Sequence, residues 1–504
     1  MASEIRVNKI INRSGLSTVT FSDTGAIVSG IVTANNFSGN VTGNVTGNVT
    51  GNLSGGTINA TSGTITGNLG VGGVLTYEDV TNIDSIGIIT ARAGINVSGG
   101  VITGDGSGLT GVGLGTDGSA NTSGIITATA FVPTAGQLSH RNIIINGDFR
   151  INQRGSSSTS AAFKTVDRFA MYFTGTDENP TQVIFNVDPP GAYHLPTTGP
   201  HPRKEGFRKA FGITNGNQTS GAGAGDYIYI SHKIEAQDMA QCGWDYTDAN
   251  SFITLSFWVK SSAAQNFYGY LKVPDSSTAQ HYAFETGALT AFTWKKVIVK
   301  IPGNSNLVFD FNTAMGLEIV WSPFFGTDYT SSSASLNTWG NLDNSARMPD
   351  YATGWYTTND ASFQITGVQL EVGPVATPFE HRSRAEQLAS CQRYFQLIEY
   401  AQAMARSSTN TGAVSARFVC EMRTSPTIST LNLSSYATNV GLNLQGDGST
   451  NTTQSSGNQG TSYSSSRTMY LYDISGFSGM SAGRTYVCGV PANNAVVFTA
   501  DAEM

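Results

Sequence analysis

Residues 252 to 259 read Phe-Ile-Thr-Leu-Ser-Phe-Trp-Val, and this stretch indicates the fold class of the chain. Its apolar and polar residues alternate with a period of two, as expected for a strand with one face in a core. Similar stretches, separated by Gly, Pro, Asn and Ser, occur at residues 142–145, 169–173, 227–230, 267–273, 296–301, 307–311, 316–320 and 363–372. Many short strands of this kind predict a two-sheet sandwich or jelly roll.

The first 140 residues have a different composition, with no tryptophan and no charged residue between Thr24 and Tyr77. The unit Asn-Val-Thr-Gly repeats from residue 40 and ends as Asn-Leu-Ser-Gly at residue 52. A buried valine contributes at most ~3 kcal/mol, whereas ordering four residues costs ~1 to 2 kcal/mol each. The repeat therefore predicts either a shaft of three intertwined chains or a flexible linker. In the shaft, a row of apolar residues would meet on the trimer axis: Val41, Val45, Val49 and Leu53.

Helical spacing replaces the period of two after the sandwich. Ser383 and Glu386 form a capping-box pattern, which predicts a linking amphipathic helix within residues 382–398. Residues 399–504 return to strand character, with a polar run at 446–466 that predicts a long loop. The chain is thus predicted to be mostly β, with a shaft (1–140), a jelly roll (141–381), a helix (382–398) and a C-terminal β domain (399–504).

Composition and spacing argue against several functional classes. The net charge of −7 and a charged fraction of 12% do not favour nucleic-acid binding, and no apolar run is long enough for membrane insertion. The four cysteines and six histidines are dispersed, so we predict no metal and no cofactor. No nucleophile motif predicts a catalytic residue, and the first residues lack an apolar signal core. We expect synthesis in a reducing cytoplasm and no enzymatic activity.

An aromatic-rich segment between residues 321 and 360 is the predicted binding site. Flat rings suit the C–H faces of sugars, and the Asn, Asp and Ser residues nearby suit their hydroxyls. The alternative is that these rings cap the sandwich as core. The candidate residues are Trp321, Tyr329, Trp339, Tyr351, Trp355 and Tyr356.

A rival hypothesis is polysaccharide cleavage by two carboxylates. The acids that suit it are Glu285 paired with Glu318 or Asp310. The sequence does not set the distance between them, and acids at such positions are more often ordinary strand-surface residues.

Several motifs resemble those of bacteriophage tail fibres, in particular fibres of phages that infect marine cyanobacteria. The segments 4–10, 30–34 and 104–111 are similar to the repetitive shafts of such proteins. Residues 142–149 and 365–373 resemble the first and last strands of the carbohydrate-binding-module-like jelly roll in these fibres. Phe149 is followed by Arg150 where related modules often have a calcium-binding glutamate, so a structural calcium is not expected there.

The resemblance implies a homotrimeric virion protein that is assembled in the host cytoplasm. Its N-terminus would bind other tail proteins, and its distal domains would bind a host surface glycan or lipopolysaccharide by multivalent contact. The alternatives are a tailspike-type depolymerase and a structural whisker or decoration protein.

Overall fold

A computed structural model of the chain describes residues 8–11, 17–23, 25–28, 31, 61–68, 70–72, 139–187, 199–398, 401–405, 411–430, 443–445, 451–452, 458–475, 482, 485–489 and 498–504. It separates two compact units, Met1–Asn121 and Thr122–Met504. The predicted trimer-axis residues Val41, Val45, Val49 and Leu53 lie outside the described residues. The predicted mostly β fold is confirmed, whereas the predicted division of residues 141–504 into domains stays a prediction.

The first unit contains a small antiparallel sheet. Its strands are β1 (Lys9–Ile11), β2 (Ser17–Ser22) and β3 (Gly25–Val28), in that order. Ile10 pairs with Val19, and Val19 pairs with Val28, so these three residues share one face of the sheet.

Two six-stranded antiparallel sheets form the sandwich of the second unit. Sheet I has the order β14-β11-β10-β13-β8-β5, and its strands are β5 (Phe169–Thr174), β8 (Tyr227–Glu235), β10 (Tyr268–Val273), β11 (Gln280–Glu285), β13 (Met315–Phe325) and β14 (Trp339–Asn341). Sheet II has the order β12-β9-β15-β7-β6-β4, and its strands are β4 (Ser157–Ser158), β6 (Thr181–Asn186), β7 (Lys209–Thr214), β9 (Phe252–Ser261), β12 (Lys295–Pro302) and β15 (Ser362–Val372).

The inner faces of the two sheets meet in one large core. Phe257 of sheet II packs against Trp321 and Phe284 of sheet I, with ring centroids 5.9 and 6.0 Å apart. The alternation seen in the sequence of β9 explains this packing, because Ile253, Leu255 and Phe257 all point inward from it. The predicted strand at 307–311 is wrong, since this segment has no regular secondary structure, and residues 142–145 are likewise not a strand.

The segment before the sandwich closes it against a bulge in β15. Gly147 lies so close to the Val368 carbonyl that a Cβ would sit 2.0 Å from its oxygen, and Gly367 has the left-handed φ of 63°. Asn142 donates to the Val368 carbonyl and accepts from the Leu370 amide. The predicted Asn-Gly turn forms here, with the Phe149 amide donating to the Asn146 carbonyl at 3.0 Å.

Asn146 is fully buried and connects four parts of the chain. Its side-chain amide donates to the carbonyls of Ile151 and Asp167 at 2.8 and 3.0 Å, and its side-chain oxygen accepts from the Ile151 amide. Its backbone amide donates to the Gln387 side chain at 3.0 Å.

Gln387 lies on α2 (Arg384–Gln392), which begins as predicted, with Ser383 Oγ accepting from the Glu386 amide. The helix is shorter than the predicted span, because residues Phe395–Ile398 form β16. Two shorter helical segments are α1 (Ala236–Ala240) and a 3₁₀ turn at Pro202–Glu205.

The remaining strands form two sheets. One has the order β16-β25-β19, with β19 at Thr427–Thr430 and β25 at Phe498–Asp501. The other has the order β21-β20-β24-β17-β18-β23-β22, and its strands are β17 (Ala401–Ala405), β18 (Thr411–Arg417), β20 (Asn443–Gln445), β21 (Asn451–Thr452), β22 (Asn458–Ser465), β23 (Met469–Ser475) and β24 (Thr485–Gly489). The prediction of one continuous loop at 446–466 is therefore wrong, since β22 lies inside it. No helix in the described segments is long and apolar enough to cross a membrane.

A buried ionic network joins residues 501–504 to the sandwich. Arg154 pairs with Asp167 at 3.2 Å and with Asp501 at 3.1 Å. Arg168 is almost fully buried, pairs with Glu503, and stacks 3.4 Å from the ring centroid of Tyr394. Apart from the partly exposed Asp501, the charged side chains of this network are buried together, so removing one partner leaves another uncompensated.

We predict that Asn146→Ala lowers the free energy of unfolding by about 3 kcal/mol, because it removes three buried hydrogen bonds. Ala at the left-handed φ of 63° adds about 1 kcal/mol of backbone strain. Urea unfolding measures both effects, with Asn146→Gly to remove the amide without the strain and exposed Asn152→Ala as control. Equal stability of Asn146→Ala and Asn152→Ala would contradict this account of the closure.

The network also predicts a pH dependence. Burial raises the pKa of the Asp167 carboxyl to about 6, against the lowering effect of Arg154. The folded chain therefore binds this proton more tightly than the unfolded chain, and Asp167 contributes stability at low pH that is lost as the pH rises from about 4 through 6.

Between pH 4 and pH 6 we expect the free energy of unfolding of the wild-type chain to fall by about 3 kcal/mol as the pH rises. We expect Asp167→Asn to remove this pH dependence. The measurement is urea unfolding of both proteins from pH 4 to 7. A difference between the two that does not change with pH would contradict the assignment.

Candidate functional site

The structure buries four of the six predicted sugar-binding rings, three of them almost completely. Trp321 points into the core from β13, and Trp355 and Tyr356 are also fully buried. Tyr356 stacks on Phe324 with centroids 4.2 Å apart and donates to Asp226 at 2.9 Å. These rings present no face to a sugar, because protein atoms already cover both sides.

The other three predicted rings lie nearer the surface. Trp339 is buried against Tyr282, and its indole N–H donates to the Pro302 carbonyl at 2.7 Å. Tyr351 is half-buried and donates to the Ser322 carbonyl at 3.1 Å. Tyr329 is half-buried beside the outer face of sheet I, where it meets Tyr227 edge-on. Tyr329 therefore contacts the surface described next.

The three acids considered for polysaccharide cleavage lie apart. Glu285 is exposed and accepts from Asn266 at 2.7 Å, and Asp310 is exposed in the turn after β12. Glu318 lies on the outer face of β13, two strands and four residues from Glu285 in the sheet register. Those spacings put their Cα atoms about 16 Å apart, which exceeds the ~5 to 9.5 Å between paired glycosidase carboxylates.

A row of stacked aromatic rings crosses the outer face of sheet I. Tyr172 on β5 lies directly opposite Tyr229 on β8, with ring centroids 5.3 Å apart. Tyr229 stacks on Phe325 of β13 at 5.5 Å with an interplanar angle of 14°, and Tyr227 stacks on the same ring at 5.6 Å. The row therefore offers several half-buried ring surfaces along one line.

Small side chains lie beside this row on the same face of sheet I. Val320 pairs with Ser231, Ser231 pairs with Ala170, and Tyr270 pairs with Ala283 and Val320 across the same line of the sheet. These residues are buried, and Tyr270, Ala283 and Val320 pack with Phe325 and Met348 in a second hydrophobic cluster. The half-buried rings of Tyr172, Tyr227 and Tyr229 are therefore the part of this face that a sugar ring can contact.

Glu318 on β13 supplies a carboxylate near the aromatic row. Ser231 Oγ donates to Glu318 Oε1 at 2.7 Å, which fixes the carboxylate and leaves Oε2 as an acceptor. Burial, and then the charge of Glu318, raise the pKa of Tyr172. Burial and the negative groups around it, Glu318 among them, also raise the pKa of Tyr229 and Tyr270. The phenols are therefore protonated donors at neutral pH, and they lie near the Glu318 side chain.

Three positively charged side chains lie around the aromatic row and Glu318. Lys233 lies opposite Glu318 in the register and 5.7 Å from the ring centroid of Tyr172, and Lys272 lies opposite Glu318 on the other side. Arg347 lies 5.1 Å from the ring of Tyr329. We call the surface made by Tyr172, Tyr227, Tyr229, Ser231, Glu318 and Phe325 the tyrosine face.

The arrangement can bind a polyhydroxylated ring. The aromatic row suits its C–H surface, Glu318 accepts from hydroxyls, and the tyrosine hydroxyls can donate to them. Among the described residues no group of three or more His, Cys, Asp or Glu side chains could hold a metal ion.

The sequence analysis chose the aromatic segment at residues 321–360 and did not consider the tyrosine face, although the sequence contains a signal for that face. In β8 the outward Tyr227, Tyr229 and Ser231 alternate with the core residues Ile228 and Ile230. Aromatic and polar residues on the solvent side of an alternating strand indicate a binding face more directly than a ring-rich loop does.

No protein-family model and no curated protein matches the sequence. Among solved structures, the chain resembles the enzymatically active domain of tailspike protein 4 of bacteriophage CBA120, with 12% identity and a TM-score of 0.23 over 46% of this chain and 21% of that one. It also resembles a protein of Bacteroides thetaiotaomicron described as sugar-binding, with 12% identity and a TM-score of 0.22 over 46% of this chain and 100% of that one.

A third match is the CBM22-1 and GH10 modules of a Clostridium thermocellum endo-1,4-β-D-xylanase, complexed with xylohexaose. The identity is 11% and the TM-score 0.21, over 47% of this chain and 30% of that one. This chain thus spans about a fifth of the tailspike domain and less than a third of the xylanase modules.

The prediction that the chain is not an enzyme is corrected by these matches, which include an enzymatically active tailspike domain and xylanase modules. Glycan cleavage is therefore measured alongside glycan binding in the experiment below.

Proposed function

We propose that the chain is a virion tail fibre protein that attaches the particle to a host surface glycan or lipopolysaccharide through the tyrosine face. The observation that supports it most is the stacked row of Tyr172, Tyr229 and Phe325 beside the Glu318 carboxylate. Phe325 is buried, whereas the half-buried rings of Tyr172 and Tyr229 provide the surface that sugar stacking needs.

The fibre part of the proposal rests on the sequence. The valine-bearing repeat between residues 40 and 53 needs partner chains to complete its hydrogen bonds, which supports a homotrimer. Three copies would carry three tyrosine faces, so weak single sites would together give strong attachment. The resemblance of residues 4–10 to fibre shafts supports binding of other tail proteins by the N-terminus, and a virion location after assembly in the host cytoplasm.

We predict that Tyr229→Ala and Glu318→Gln each weaken binding of purified host surface polysaccharide at least tenfold. Tyr229→Ala removes the central ring of the row, and Glu318→Gln removes a charged acceptor worth about 1.5 to 3 kcal/mol. Calorimetric titration of the full chain measures the affinity. Phe311→Ala is the matched control, since that ring is 75% exposed and lies outside the tyrosine face.

Three further outcomes would change the proposal. Unaltered binding by both variants would contradict the tyrosine face as the receptor site. Release of reducing sugar ends by the wild-type chain, lost in Glu318→Gln, would favour the tailspike-type depolymerase. Absence of binding by a chain whose light-scattering mass is three times 53.1 kDa would favour a structural whisker or decoration protein.

A further inference from the structure

The outer face of sheet II has a chemistry opposite to that of the tyrosine face. Three lysines each lie over an aromatic ring: Lys260 over Trp294 at 4.9 Å, Lys296 over Trp258 at 5.8 Å, and Lys300 over Phe252 at 3.8 Å. We call Lys260, Lys296 and Lys300 the lysine strip. It follows β12 and its neighbour β9 along the edge of the sandwich.

The rings hold the lysines in place. Trp258 and Trp294 are buried under the lysine stems, and cation–π attraction fixes the ammonium groups at the surface. Lys296 and Lys300 are four residues apart on one strand, so their side chains leave the same face about 13 Å apart. A positive strip of fixed spacing results.

Lys296 has a carboxylate partner, whereas Lys300 and the neighbouring Lys295 do not have one among the described residues. Glu205, on the 3₁₀ turn, pairs with Lys296 at 2.9 Å and accepts from Trp258 at 3.1 Å. Lys300 has no ion pair among the described residues, and the Lys295 ammonium contacts only the Ala288 carbonyl at 3.4 Å. In a chain with a net charge of −7, this edge therefore has a local excess of positive charge.

A groove runs along the strip. It has a volume of about 480 Å³, and Lys295, Lys296 and Lys300 lie on its β12 side. The other side carries Glu285, Thr286 and Asn337. The Thr286 hydroxyl is buried and donates to the Gly287 carbonyl at 2.9 Å, so the exposed Asn337 is the neutral hydrogen-bonding group on this side. This volume falls within the ~300 to 1,000 Å³ of ligand sites, and the lining suits a ligand with both anionic groups and hydroxyls.

Two other classes of partner, nucleic acid and an added peptide strand, fit this surface less well. Nucleic-acid bases need open aromatic faces, but Trp258 and Trp294 are covered by lysines. An added peptide strand needs free backbone groups, but the Lys300 and Pro302 carbonyls already accept from Tyr282 and Trp339. Lysines on an edge strand also discourage strand pairing.

We propose that the lysine strip and its groove form a second binding site, for an acidic polysaccharide that carries carboxylate or sulfate groups. Lys300 and Lys295 contact the anionic groups, and Asn337 hydrogen-bonds to a neighbouring hydroxyl. The site lies on the opposite sheet from the tyrosine face and does not depend on the function proposed for that face.

The test is titration of the full chain with a polyuronate oligosaccharide, with neutral dextran as the uncharged probe. We expect binding of the polyuronate alone, weakened by salt because exposed charges are screened within about 10 Å at moderate ionic strength. Lys300→Gln should weaken it about fivefold, whereas Lys300→Arg should retain it. Lys164→Gln, a change of equal charge at an exposed lysine elsewhere, should leave it unchanged.

Several results would overturn the site. They are absence of polyuronate binding, equal losses in Lys164→Gln and Lys300→Gln, or loss in Tyr229→Ala with none in Lys300→Gln. Single-stranded DNA that binds as tightly as the polyuronate and with the same dependence on Lys300 would show a general polyanion site, and would contradict the polysaccharide assignment. An error in the assignment of the tyrosine face would be detected separately. It would appear as unaltered glycan binding in the Tyr229 and Glu318 variants, and the effect of Lys300→Gln on polyuronate binding would remain.

Discussion

The hydrogen bonds of buried Asn146 are the constraint on which the sandwich and its binding face depend. This one side chain holds the carbonyl of Asp167, the residue that precedes Arg168 and the edge strand β5. Tyr172 lies on that strand, and Arg168 also donates to the Lys233 carbonyl of β8. The position of the aromatic row therefore follows from the closure of the sandwich, and residues 501–504 reinforce it through Glu503.

The outer faces of the two sheets present different chemical groups. Sheet I presents stacked rings with one carboxylate, and sheet II presents lysines held over buried rings. In the proposed trimer, a surface polymer that is both hydroxylated and acidic would contact both faces of neighbouring copies. Because linked weak contacts raise each other's effective concentration, such a chain can attach firmly while every single contact remains reversible.

Much of the fold is predictable because strand alternation and the capping pattern at Ser383 are local. The binding site is less predictable, because composition does not say which side of a strand a ring occupies. The register of β13 shifts between Trp321 and Phe324, so that Trp321 and Phe324 point inward and Phe325 points outward. No local signal marks that bulge, so the sequence does not show that Phe325 faces outward. Trp321 continues the inward alternation of Leu317 and Ile319, and Trp355 and Tyr356 are core residues outside β13.

Amide hydrogen exchange of the full chain, with and without host surface polysaccharide, tests the central claim most directly. The account predicts slower exchange in peptides from β5, β8 and β13, since a ligand on the tyrosine face stabilises the strands that carry it. Protection confined to the distal strands β17 to β24, with β5, β8 and β13 unchanged, would contradict it.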